Sequence, residues 1–163
     1  MEQNRISNPL PLLRRRPQAV AEVRGSVDYP TIRGWVRFYQ TRQGVLVAAE
    51  VMGLPVPAQN CHSPIFGFHI HEGEQCTGNA QDRFADAKMH FNPDECPHPY
   101  HAGDLPPLFG NHGFAWMAVL TDRFTLNEVL GRTVIIHSSV DDFTSQPSGN
   151  SGTKMACGVI RRV

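Results

Sequence analysis

Apolar and polar residues alternate with a period of two along much of this chain, and no convincing amphipathic helix interrupts them. Order is expected from about Gln18. Ala21, Val23, Val27 and Tyr29 alternate with polar neighbours around Gly25, which predicts a half-buried strand ending in a Tyr-Pro turn. The runs 35–39 and 45–51 flank Thr41-Arg-Gln-Gly44, a short connection closed by glycine, and predict a hairpin whose second strand stops at Gly53-Leu-Pro55. A loop with three prolines, 54–64, precedes a strand over 65–71. Phe114, Trp116, Ala118 and Leu120 restore the alternation, and 133–137 and 156–160 supply the last strands. Many short strands with turn signals between them and no internal repeat predict an all-β antiparallel sandwich or barrel.

Length and charge narrow this picture. The 163 residues suit one domain, with 1–18, polar and proline-containing, as a loosely ordered arm and 19–163 as the folded unit. Formal net charge is zero and the pI is near 7.1, so the broad basic footprint of a nucleic-acid or anionic-membrane binder is missing. Any attraction for an anion must be local. No apolar run is long enough to span a bilayer, and the first twenty residues place their arginines after a proline-broken apolar cluster, the reverse of a signal peptide. The expectation is a cytoplasmic protein, or a secreted or periplasmic one if a leader has been removed. Four cysteines are too few for a disulfide scaffold and fit either compartment.

The chemistry concentrates between residues 72 and 110, which carry Gly, Pro, Asn and Asp and no sustained period. Loops this long inside a compact domain are usually functional or disordered, and the histidines favour function. His90, His98, His101 and Asp104 fall within fifteen residues, imidazoles and a carboxylate that suit zinc or copper rather than magnesium, calcium or an iron–sulfur cluster. His69 and His71, two apart in a strand, leave the same face and can share one metal. His137 closes a later strand. Six of the eight histidines thus sit at strand ends or in one loop, a pattern that points to metal.

These residues resemble the copper/zinc superoxide dismutase family. The matching elements are Gly67-Phe-His-Ile-His-Glu72, His90-Phe-Asn-Pro93, His98, His101-Ala-Gly-Asp104-Leu, Gly131 through His137, Asp141-Asp142, Gly149-Asn and Ala156-Cys-Gly-Val-Ile160. They run in the family's order and cover most of residues 20 to 162. The resemblance implies an eight-stranded Greek-key β-barrel, immunoglobulin-like, with two long loops holding metals outside it. By similarity His69, His71, His90 and His137 would bind copper, while His90, His98, His101 and Asp104 would bind zinc. His90 would be shared, and would also pass a proton to the forming peroxide. Asp141 would tether His69 to His98 from outside the metals, and Cys76 and Cys157 would form a disulfide. Cys61 and Cys96 have no counterpart; they pair with each other or Cys96 is a free thiol.

The chain departs from the pattern in three places. Lys154 stands where the family places an arginine beside the copper, which keeps the charge that meets superoxide but loses the planar fork of donors. The segment 142–154 has no lysine or glutamate before Lys154, so long-range steering of the anion is expected to be modest. The turn 72–76 is shorter than in the eukaryotic branch, so monomer and homodimer both stay open, as does a copper-delivering partner. Against the dismutase stands a copper- and zinc-binding protein of the same fold with weak or no activity. A zinc-only hydrolase fits less well, because three histidines and an aspartate leave zinc no open position.

Overall fold

The computed structural model describes residues 8–58 and 64–163. Strands β1 (Ala19–Gly25), β2 (Arg33–Thr41) and β3 (Gly44–Met52) are followed by β4 (Ile65–Phe66) and β5 (Phe68–His71). Further on come β6 (Leu108–Phe109), β7 (Phe114–Thr121), the one-turn helix α1 (Leu126–Val129), β8 (Thr133–His137) and β9 (Lys154–Arg162). Seven strands form one sheet in the order β5-β8-β9-β1-β2-β3-β7, with every neighbouring pair antiparallel, and β4 pairs with β6. Only Gly67 separates β4 from β5. Counted as one interrupted strand they give eight, and the curled sheet is an all-β Greek-key barrel.

Alternation builds the core. Ala21 and Val23 of β1, Val36 and Phe38 of β2, and Val47, Ala49 and Val51 of β3 point inward, meeting Phe68 and Ile70 of β5, Val134 and Ile136 of β8 and Ile160 of β9. Each large side chain removed from water contributes about 1.5–3 kcal/mol. The expected hairpin is present, with Thr41 paired to Gly44 across a two-residue connection.

One expectation changes, and the structure adds two features that alternation leaves open. Val27 and Tyr29 do not extend β1: the Tyr29 N–H donates to Ser26 O at 3.0 Å, a turn that leaves Val27 exposed. In β7 the face bearing Phe114 and Trp116 looks outward, and Ala115, Met117 and Val119 face the core instead. Alternation locates a strand without saying which face is inside. The short helix α1 is also present, its first turn held by the Glu128 carboxylate, which accepts the Thr125 N–H at 2.6 Å and its hydroxyl at 2.7 Å.

In the N-terminal arm, Leu12 and Leu13 of a 3-10 turn over Leu10–Arg14 pack against Tyr39, Leu46 and Ala48 on the outside of the sheet. Residues 1–7 of the arm, and Cys61 with its suggested pairing, lie outside the described residues. Among those described, no helix is long and apolar enough to cross a membrane. Two long segments leave the barrel on one side, 72–107 and 138–153. The first is fastened to β9 by the disulfide Cys76–Cys157.

Candidate metal centre

Strand β5 sends Phe68 and Ile70 into the core, so period-two geometry places His69 and His71 on its outer face. The long segment extends the sheet past its edge strand β5 by continuing the hydrogen bonding, which sets its own side chains beside that face. Phe91 N–H donates to Ile70 O at 2.8 Å, and Ile70 N–H to Gly103 O at 2.9 Å. These bonds set His90 opposite His71 and Asp104 opposite His69. Gly103 is what permits the approach, since a Cβ there would lie 2.2 Å from Ile70 O. His137 arrives from β8, where a register shift against β9 falls between Ile136 and His137, re-aiming the last side chain of the strand.

Two groups of four donors result, each with its ligand atoms within 4.8 Å of one another: His69, His71, His90 and His137, and His90, His98, His101 and Asp104. All seven residues are buried. In the first group the Nε2 atoms of His71 and His137 are 3.2 Å apart, and the rings of His69 and His90 are 3.9 Å apart between centroids. His71 Nδ1 lies 2.9 Å from Lys88 O. A carbonyl only accepts, so Nδ1 carries the proton and Nε2 turns a lone pair to the group. In the second group Asp104 Oδ1 is 2.7 Å from His90 Nδ1, and Asp104 Oδ2 is 3.1 Å from His98 Nδ1 and 3.4 Å from His101 Nδ1.

Asp141 stands behind both groups. Its Oδ2 accepts from His69 Nε2 at 2.7 Å and its Oδ1 from His98 Nε2 at 2.9 Å, which leaves each ring's Nδ1 turned inward. Gly149, at φ +68°, makes room for this bridge; a Cβ would fall 2.0 Å from Asp141 Oδ1. Burial alone would raise the Asp141 carboxyl, but hydrogen bonds from His69, the Phe143 N–H and His98 hold it far below the usual carboxylate range. Asp104 is likewise held down, against its burial, by the imidazoles around it.

Burial lowers the histidines in turn. It brings His69 to about 4 despite the Asp141 hydrogen bond, and holds His71 and His137 well below the ordinary value. A neutral imidazole already offers a cation one unprotonated nitrogen, and only the shared His90 would have to give up its remaining proton to serve two. Three buried ring nitrogens, His69 Nδ1, His90 Nε2 and His98 Nδ1, have no hydrogen-bond partner. Each such orphan costs about 1–3 kcal/mol, and buried orphans are rare. A cation in each group would satisfy all three, so the residues fit a pair of metals. The donor types fit as well: four imidazoles suit copper(II), and three with one carboxylate suit tetrahedral zinc.

Lys154, the first residue of β9, lines a cavity of 480 Å³ together with His71, His90 and His137. Its ammonium donates to Asp82 Oδ2 at 2.7 Å and to Phe84 O at 3.1 Å. Reading the sequence missed Asp82, and two other supports. Arg123 Nη1 reaches the carbonyls of Pro99, His101 and Asp104 at 3.1–3.4 Å, bracing the second group from below. Gln146 clasps the backbone of His98, accepting from its N–H at 3.0 Å and donating to its carbonyl at 2.7 Å. Only the fold brings these residues to their partners, and nothing local distinguishes them from solvated polar residues. Cys96 is half-buried beside Asn92, whose side chain bonds both its N–H and its carbonyl.

A Greek-key barrel carrying two abutting donor groups that share one imidazole defines a binuclear metalloprotein built on a β-scaffold. The family model for copper/zinc superoxide dismutase matches residues 32–160. Among curated relatives, superoxide dismutase [Cu-Zn] 2 of Aquifex aeolicus is 36% identical over 143 residues, covering 78% of each chain. Superoxide dismutase [Cu-Zn] of Legionella pneumophila is 32% identical over 140 residues, 81% of this chain and 80% of the relative. This chain belongs to the copper/zinc superoxide dismutase family.

Proposed function

We propose that this protein disproportionates superoxide, 2 O2•− + 2 H+ → O2 + H2O2, with copper held by His69, His71, His90 and His137 and zinc by His90, His98, His101 and Asp104. The observation that carries the reading is the sharing of His90: its Nδ1 is committed to the Asp104 group while its Nε2, buried and unpartnered, belongs to the other. Copper, when bound, supplies the one-electron exchange with superoxide, and zinc, which has no redox chemistry, fixes the loop.

The protein's own residues do the rest. His90 can hold a proton at Nε2 without disturbing Nδ1, and can give it to the departing peroxide. Asp141 keeps His69 and His98 in one tautomer and orientation by accepting from both. Lys154 supplies positive charge at the cavity where the anion arrives. Because its ammonium lacks arginine's planar fork, Lys154→Arg is expected to raise turnover or anion affinity on the order of threefold. An unchanged rate and affinity would remove Lys154 from this role.

The reading is tested by reconstituting the chain with copper and zinc, counting each metal per chain, and following superoxide decay with and without cyanide. One copper and one zinc per chain with cyanide-sensitive decay is expected. Stoichiometric copper without accelerated decay would instead favour a metal-binding protein of this fold.

A further inference from the structure

We propose that Asp82 controls how strongly the metal cavity binds anions, by engaging Lys154 in an ion pair beside His137. The inference rests on the reading of an anion-consuming site given above, and makes Asp82 a positioning residue within it.

The 480 Å³ cavity is lined by three cationic side chains, Arg83, Lys88 and Lys154, and by the carboxylates Asp28 and Asp82. Arg83 Nε is taken by Asp28 at 2.9 Å and Lys154 by Asp82 at 2.7 Å, while Lys88 has no ion-pair partner among the described residues. Two of the three adjoin the copper-type donor group through the backbone: Lys154 is paired with His137 across β8 and β9, and the Lys88 carbonyl accepts from His71 Nδ1 at 2.9 Å. Of these two, Lys154 is the one whose ammonium is engaged by a carboxylate.

The turn that carries Asp82 is built to aim one oxygen at that ammonium. The Asn79 side chain accepts the N–H groups of Gln81 and Asp82 at 2.9 and 3.0 Å, and Asp82 O accepts from Asn79 N–H at 2.9 Å. Asp82 Oδ1 is occupied by the Phe84 N–H at 3.0 Å, leaving Oδ2 for Lys154. Cys76 and Cys157, on the same loop and strand, lock the two partners together covalently. The Asp82 side chain is 39% exposed and that of Lys154 14%, so the carboxylate stands nearer solvent and the ammonium lies behind it. An anion approaching Lys154 must compete with a carboxylate already in place, and meets its repulsion first.

Azide binding to the copper- and zinc-loaded protein, followed by the change in copper absorbance, reads this without turnover. Asp82→Asn keeps an acceptor for the Phe84 N–H but removes the charge; it is expected to tighten azide binding about three- to tenfold and to steepen its salt dependence. In a Lys154→Gln background the same substitution should tighten binding at least about threefold less, because the lysine it releases is gone. Should Asp82→Asn fail to load copper, Asp82→Ser, whose hydroxyl can still accept from Phe84, takes its place. Unchanged or weaker azide binding in a metal-loaded variant, or equal tightening with and without Lys154, would overturn the inference even if the protein dismutates superoxide. Conversely, the expected azide shifts in a protein that does not speed superoxide decay would refute the dismutase reading and leave the role of Asp82 standing.

Discussion

The two donor groups meet at His90 but are held by different means. His69, His71 and His137 stand on β5 and β8, paired strands whose opposite faces lie in the barrel core. His98, His101 and Asp104 stand on irregular backbone, fixed by Asp141, Gln146 and Arg123. The sheet therefore orients the first group whether or not a cation is bound. The second depends on a few polar contacts, each individually worth little, and on the metal itself. Metal binding and loop order should be coupled far more tightly in the second group than in the first.

The sharpest way to separate them is Asp104→Ala, which removes one donor and the acceptor shared by three imidazoles. Zinc affinity should fall more than about 100-fold, while copper still binds at the strand-borne histidines; competition with a chromophoric chelator reads both. Equal loss of the two metals would show that the groups are not independently held. Asp141→Asn comes next. An amide can accept at only one end, so it cannot serve His69 and His98 together, and a loss of about 10- to 100-fold in zinc affinity is expected, with a smaller loss for copper. Were copper hit harder, the sheet would not be the stronger support.

Arg123→Met touches neither metal and tests the loop brace alone. A drop of about tenfold or less in zinc affinity is expected, with copper unaltered and Arg123→Lys intermediate; no change would leave Arg123 as a surface residue. The gentlest probe is pH. Burial keeps His69 near 4 and holds His71 and His137 low, whereas His101 is lowered less far, its burial opposed by the Asp104 carboxylate. In the unfolded chain these side chains take a proton near 6.5. The unfolded state then binds more protons than the folded one, so stability of the metal-free protein is full above about pH 6.5 and is lost as pH falls toward 4. Denaturant midpoints measured across that interval should fall with pH, and proton NMR should show His101 titrating before the strand histidines. A flat stability profile would contradict the burial of the first group.

The same contrast explains what could be read from residues alone. The hairpin of β2 and β3 and the pairing of His69 with His71 on one face follow from local periodicity, which a strand obeys wherever it lies. The inward face of β7 does not, because Trp116 and Ala115 alternate equally well in either sense and only the packing against β3 selects one. The ligand types in 90–104 were visible as composition. Arg123, Gln146 and Asp82 were not, since each acts on partners between 19 and 72 residues away that only the fold brings within reach.

The disulfide has a further consequence for the life of the unfolded chain. Cys76 and Cys157 are 81 residues apart, and the closed loop between them contains His90, His98, His101, Asp104 and His137, leaving only His69 and His71 outside. Closing a loop of that length removes about 4–5 kcal/mol of chain entropy from the denatured ensemble in the polymer model. It also keeps five of the seven donors tethered at raised mutual concentration. An oxidised chain that unfolds and loses its metals thus retains a crude basket of ligands, and should recapture zinc faster on refolding than a reduced chain starting from open coil.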